Sequence, residues 1–342
     1  MRLLLILFVP LLLWGQASTP AFVEAIPDHI QARMQVKARA AANAAIAGQA
    51  LTMQSFIFLS KRWTGPPSRA ITVAFNGGTD DLRKSIANVV SEWSKYGDVK
   101  FDYMDPATGH YREWTRSDTT FQADVRVAFD GIDGPGYWSL IGVDSADATI
   151  IAANQASLEL QGFADNLPAD WAGTVRHEFG HALGLMHEHQ MPVGGCDQDF
   201  KWQDDPGYVP TQDLNGAYTG DTQGHKPGIY TVLAGYPNFW PQSKVDANMK
   251  QLTVDSSNYD FGPFDAMSIM KYYFDPSFFV SGTMAHCYSS ENTVISMGDQ
   301  AGIRKWYPNT GSNELQDLLK QQNSMLQLLG KSHQMQNVKV SK

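Results

Sequence analysis

The chain has 342 residues, 43% of them hydrophobic, and a formal net charge of −9. That length can bury a substantial core in one large domain or two modest ones. The acidic balance argues against a broad nucleic-acid surface, and no run of lysine and arginine marks a membrane-surface patch.

The chain opens "MRLLLILFVPLLLWGQASTPA", with Arg2 ahead of an apolar run from Leu3 to Trp14 and small residues at Gly15 and Ala17. This predicts a signal peptide over residues 1–17, cut near Ala17–Ser18, and hence a secreted, extracellular or periplasmic protein. The other reading is an uncleaved anchor. The run falls short of the ~20 residues a spanning helix needs, and Pro10 interrupts it. No later segment is apolar enough to span, so stable membrane insertion is not expected. Cys196 and Cys287 complete the cysteine count. An even number in an exported chain favours a disulfide, against two free buried thiols.

Residues 18–61 are rich in alanine and glutamine. They read as a prosegment, a linker or an N-terminal helix, since alanine favours helix but the apolar stripe is weak. "TGPPSR" then breaks the chain. "AITVAF" (70–75) reads as a strand. Leu82, Ile86, Val89, Val90 and Trp93 recur at helical spacing after Asp80, with Gly97 closing the helix. "VKFDYM" (99–104), "ADVRVAF" (123–129), "GYWSLIGV" (136–143) and "ATIIAA" (148–153) read as further strands. A second helix runs through "WAGTVRHEFGHALG", with Asp170 before it and Gly184 placed to stop it. Residues 192–262 are loop-rich, "FDAMSIMKYYF" (264–274) is apolar and aromatic, and "DQAGIRKWYP" reads as a last helix. The order of elements points to an α+β fold with a mixed sheet and helices packed on it. The tail, 311–342, carries a short amphipathic pattern. It suits a helix that docks on its own domain or frays, or one that pairs with a partner chain.

The chemistry concentrates in "VRHEFGHALGLMHEHQ" (175–190). His177 and His181 stand at i and i+4, on one helix face, where two imidazoles can share a metal ion. Glu178 sits beside them, placed to take a proton from a water on that ion. A catalytic zinc keeps three protein ligands and one open position. His187 can be the third ligand if the chain bends at Gly184. His189 reads as a residue behind the ligands or on the surface, with a ligand role as the alternative.

Here the sequence resembles a known family. "HEFGHALGLMH" matches the extended zinc signature of the metzincin metallopeptidases, and "SIMKYY" is similar to their Met-turn, with Met270 as its methionine. Glu188 after the third histidine, and Tyr272 two residues beyond Met270, are similar to the astacins of the bacterial and fungal kind. The resemblance covers roughly residues 62–308, a catalytic domain over 62–310. It departs in Lys271, where astacins commonly have histidine, and in the long stretch between His187 and Met270.

The resemblance implies a twisted five-stranded mixed sheet and two long helices above an active-site cleft, with a loop-rich lower subdomain. It implies a zinc metalloendopeptidase with one Zn²⁺ held by His177, His181 and His187. Glu178 would be the general base, and Tyr272 would stabilise the oxyanion and could ligate zinc at rest. Another reading of Tyr272 is a core aromatic. Met270 would pack beneath the zinc. The substrate would be protein or peptide, laid along an edge strand at Tyr137–Val143. Glu188 would meet the N-terminus of a processed chain. No cysteine precedes the zinc motif, so a prosegment thiol cannot hold the zinc. A Cys196–Cys287 bridge would tie the irregular lower half together. No motif indicates calcium, and the oligomeric state is left open. The competing reading is a zinc-containing binding protein of the same fold without peptidase activity.

Overall fold

The computed structural model describes residues 24–42, 56–64, 70–253 and 259–309. The signal peptide and the amphipathic tail expected over 311–342 lie outside them. In chain order the elements are α1 (Asp28–Ala42), β1 (Phe56–Phe58), β2 (Ile71–Phe75), α2 (Asp80–Val90), β3 (Phe101–Asp102), β4 (Val125–Ala128), β5 (Tyr137–Ser139), β6 (Leu158–Leu160) and α3 (Trp171–Ala182). The second half holds α4 (Cys196–Asp199), β7 (Thr211–Gln212), β8 (Tyr218–Thr219), α5 (Ile229–Ala234), α6 (Gln242–Met249), β9 (Tyr259–Phe261) and α7 (Met297–Trp306), joined by long irregular stretches.

Five strands form one mixed sheet in the order β3-β2-β4-β6-β5. β2 runs parallel to β3 and β4, and β4 parallel to β6, while β5 is antiparallel at the edge. Alternate residues of a strand face opposite sides. Val73, Phe75, Val125, Val127, Leu158 and Leu160 therefore pack on α2 and α3. Ala74, Ala128 and Trp138 turn to the other face, where Ile30 of α1 is buried among them. α2 starts at Asp80 and is capped by Thr79, whose side chain accepts from Leu82 N–H, with Asp80 and Asp81 in the first turn.

One expected strand is absent. Residues 148–153 form turns, because the Asp147 carbonyl accepts from both Ile150 N–H and Ile151 N–H and its side chain from Thr149 N–H. Those bonds take the donors a ladder would need. Ile150 and Ile151 are buried all the same, in the core under α1. The strand that fills the sheet is β6, "LEL", whose central Glu159 is ionisable yet fully buried.

The N-terminal stretch divides in two. α1 lies against the outer face of the sheet, its Arg33 guanidinium donating to the Ile150 carbonyl. Lys37 pairs with Asp147 and stands 3.8 Å from the buried carboxylate of Asp144, which Lys61 also grips. β1, by contrast, pairs antiparallel with β9, and Met186 N–H donates to the Phe56 carbonyl. The lower half gathers Phe200, Leu233, Val245, Met249, Phe274 and Phe279 around a Cys196–Cys287 disulfide. No helix among the described residues is long and apolar enough to cross a membrane.

Candidate metal centre

His177 and His181 sit on the buried face of α3, one turn apart, with ring centroids 4.8 Å from each other. The helix ends at Leu183, and Gly184 takes φ +98°, a left-handed conformation that other residues rarely adopt. The chain reverses there, and His187 comes back to face His181.

Each imidazole is fixed from behind. His177 Nδ1 donates to the Ile269 carbonyl at 2.7 Å, and His181 Nδ1 to the Leu185 carbonyl at 2.8 Å. His187 Nδ1 faces Gln190 Oε1 at 3.3 Å, and the Gln190 amide is held by the Ala247 and Lys250 carbonyls. These partners leave the three Nε2 lone pairs pointing at one another. His181 Nε2 and His187 Nε2 are 2.9 Å apart, and His177 Nε2 is buried with no hydrogen-bond partner. Two bare imine nitrogens at that distance repel unless a cation lies between them. Burial holds His177 down to about 3 and lowers His187, which favours the neutral imidazole a metal ion requires at those two positions. The donor set fits a zinc ion.

A fourth donor was not legible in the sequence. Glu24 lies 3.6 Å from His177 Nε2, 3.4 Å from His181 Nε2 and 3.5 Å from His187 Nε2. The ligand atoms of these four residues all fall within 4.8 Å of one another. Burial would push the Glu24 carboxyl up, but His177 and the other two histidines hold it well below the usual range. Glu178, fully buried next to it, goes the other way: burial and the Glu24 charge drive it well above.

Tyr272 lies against His187 with centroids 4.2 Å apart and the rings tilted by 49°, and its hydroxyl donates to the main-chain carbonyl of Glu24 at 3.3 Å. Met270 lies under α3, its sulfur so close to where a Cβ on Gly180 would stand that a side chain there would push Met270 aside. His189 is fully buried against His187 and Tyr272, with Nε2 on the Asn248 carbonyl, behind the ligands rather than among them. Glu188 accepts from Asp265 N–H, and its other oxygen is buried without a partner. Lys271 is buried too, donating to Ser289 Oγ and the Tyr272 carbonyl at 3.0 Å each, and burial lowers it to about 8.

No family model matches the chain. No curated protein matches it either. Among solved structures it is similar to myroilysin, 26% identical over 75% of this chain and 100% of that one, with a TM-score of 0.53. A second myroilysin crystal structure is 27% identical over 73% of this chain and 87% of that one, with a TM-score of 0.45. A hatching enzyme zinc-protease of the medaka fish Oryzias latipes, high choriolytic enzyme 1, is 14% identical over 77% and 98%, with a TM-score of 0.39. The family reading rests on the first of these, together with the histidine motif, the turn at Met270 and the five-stranded sheet. By these marks the chain resembles the astacin-like metzincins.

Proposed function

We propose that this chain is a secreted zinc metalloendopeptidase that cleaves peptide bonds in proteins, in a form held latent by its own N-terminal segment. The observation that carries the reading is the convergence of the Nε2 atoms of His177, His181 and His187 beside the buried Glu178 carboxyl. Zinc bound by His177, His181 and His187 would supply Lewis acidity, polarising the scissile carbonyl and lowering the pKa of a coordinated water.

The protein groups do the rest. Glu178 takes the proton of the attacking water and hands it to the leaving amine. The Tyr272 hydroxyl, freed from the Glu24 carbonyl, donates to the substrate oxygen as negative charge gathers there. β5, at the sheet edge, has main-chain groups for an extended substrate to pair with. Glu24 competes for the position that substrate and water require, and burial together with the Glu24 charge raises the Glu178 carboxyl, which disfavours the ionised form a base needs. A cut between Ala42 and Phe56 would release Glu24 and α1 and leave β1 in its sheet with β9. Export is supported by the pattern of residues 1–17 and by the disulfide, which suits an oxidising compartment.

The test is Glu178→Gln in the processed protein. Zinc content should stay at about one ion per chain, as a mononuclear site requires. Hydrolysis of a denatured protein should fall by about 100-fold or more. A processed wild type that holds zinc and cleaves nothing would favour a binding protein instead.

A further inference from the structure

We propose that Asp299, at the start of α7, is a positioning residue of the metal centre, holding the turn at Met270 in the shape that aims His177. The inference deepens the metalloendopeptidase reading above and rests on its metal site.

Asp299 is fully buried and does two things at once. Toward its own helix it completes a capping box: Ser296 Oγ accepts from Asp299 N–H, and Asp299 Oδ2 accepts from Ser296 N–H. Toward the turn, Oδ2 also accepts from Ile269 N–H at 2.9 Å, and Oδ1 accepts from Ser268 Oγ at 2.7 Å. Having donated its proton to Asp299, the Ser268 hydroxyl offers a lone pair, and Met270 N–H donates to it at 3.0 Å.

The consequence follows from peptide geometry. Met270 N–H and the Ile269 carbonyl are opposite ends of one planar unit. Fixing the N–H fixes where the carbonyl points, and that carbonyl is the acceptor for His177 Nδ1. The route from Asp299 to the ligand is thus one hydroxyl and one rigid plane. The next carbonyl, that of Met270, accepts from Glu188 N–H, beside His187. A carboxylate suits the post because its two oxygens accept from three separate donors and it has none of its own. An asparagine would turn an NH₂ group toward one of those donors. Partners that orient a ligand in this way typically contribute about 10- to 100-fold to metal affinity.

A role confined to capping α7 predicts something different, and three variants of the full chain separate the two. The readouts are zinc affinity, by competition with a chromophoric chelator, and the melting temperature of the metal-free protein. Asp299→Asn should lose about 10- to 100-fold in zinc affinity. Ser268→Ala breaks the relay but leaves the cap, and should lose affinity with little change in melting temperature. Ser296→Ala breaks the cap and a bond to Asp265 Oδ2 but leaves Ile269 and Ser268 bonded to Asp299, and should melt lower with zinc affinity within about twofold of wild type. Activity lost in Asp299→Asn should return with excess zinc.

The inference is overturned if Asp299→Asn binds zinc like wild type, or if Ser296→Ala loses as much affinity as Asp299→Asn. If Asp299→Asn does not fold, Ser268→Ala decides, and wild-type affinity there overturns it. If the wild type itself takes up no zinc, the metal site falls and this inference with it. A wild type that binds zinc alongside an unaffected Asp299→Asn removes this inference alone.

Discussion

The Tyr272 hydroxyl donates to the main-chain carbonyl of Glu24, so the aromatic residue lying against His187 is tied to the segment whose carboxylate faces all three histidines. Two parts of the proposed machinery, the metal position and the oxyanion donor, are thereby occupied by one residue of the N-terminal stretch.

Removing residues up to the 43–55 stretch should therefore raise peptidase activity by roughly tenfold or more, because a tethered blocker acts at a high effective concentration. Glu24→Ala in the uncut chain should raise it less, since α1 still lies against the sheet. Initial rates on a fluorogenic peptide, compared for uncut, cut and Glu24→Ala protein, check this. Equal rates for cut and uncut protein would remove the latency reading.

Ile30 lies far from the metal in sequence and chemistry, yet it is the fully buried anchor of α1. Ile30→Ala should weaken docking of the segment by about 2–4 kcal/mol, the usual range for a large-to-small core change. The expected sign is faster proteolytic nicking N-terminal to Phe56 and higher basal activity, with zinc affinity unchanged. Limited proteolysis followed by mass spectrometry reads the first, and the peptide assay the second.

Glu159 is buried on the outer face of the sheet, and burial, reinforced by Asp130 and Asp133, pushes its carboxyl up to about 8. Its folded pKa lies above the unfolded value of about 4.3. The folded state therefore binds the extra proton between those limits, and the associated stability is present at low pH and lost as pH rises toward 8. Glu159→Gln, which cannot ionise, should match wild type near pH 4 and be more stable near pH 8. The gap should grow by on the order of 1 kcal/mol per pH unit between. Denaturant unfolding at pH 4.5, 6 and 8 tests it, and a pH-independent difference would contradict the assignment.

The Cys196–Cys287 bridge joins residues 91 apart in sequence. Replacing both with serine should cost about 2–4 kcal/mol of unfolding free energy. The loss should fall on the lower half around Phe200 and Phe279, seen as faster amide exchange there than in β2 or β4.

What the sequence made legible follows from how local each signal is. The i, i+4 histidines and the glycine that reverses the chain lie within one short stretch, so their spacing alone foretold the side chains that meet. The strands β2, β4 and β5 alternate in the open. β6 alternates as well, through Leu158, Glu159 and Leu160, but over three residues, too few to stand out, and Ile150–Ile151 imitates a strand because the Asp147 turn leaves no mark in hydropathy. Glu24 sits in "AFVEAIPDH", an unremarkable setting, and it reaches the histidines only through the folded path of the chain. Asp299 belongs to a helix that was foreseen, but its bonds to Ile269 and Ser268 cross from one element to another, which no local pattern records.

Asp144 bears on whether the N-terminal segment can leave cleanly. Its buried carboxylate is gripped by Lys61 and approached by Lys37, residues on either side of the 43–55 stretch. When Lys37 departs, Lys61 remains, so the interior keeps a cation beside its anion. Asp147, which does lose its lysine, is partly exposed and can be taken over by water. Stranding an ion in the interior would be strongly unfavourable, and this arrangement avoids it. The Asp144 pair is therefore complete without the segment, and Ile30 with its neighbours supplies the apolar contact that dissociation must break.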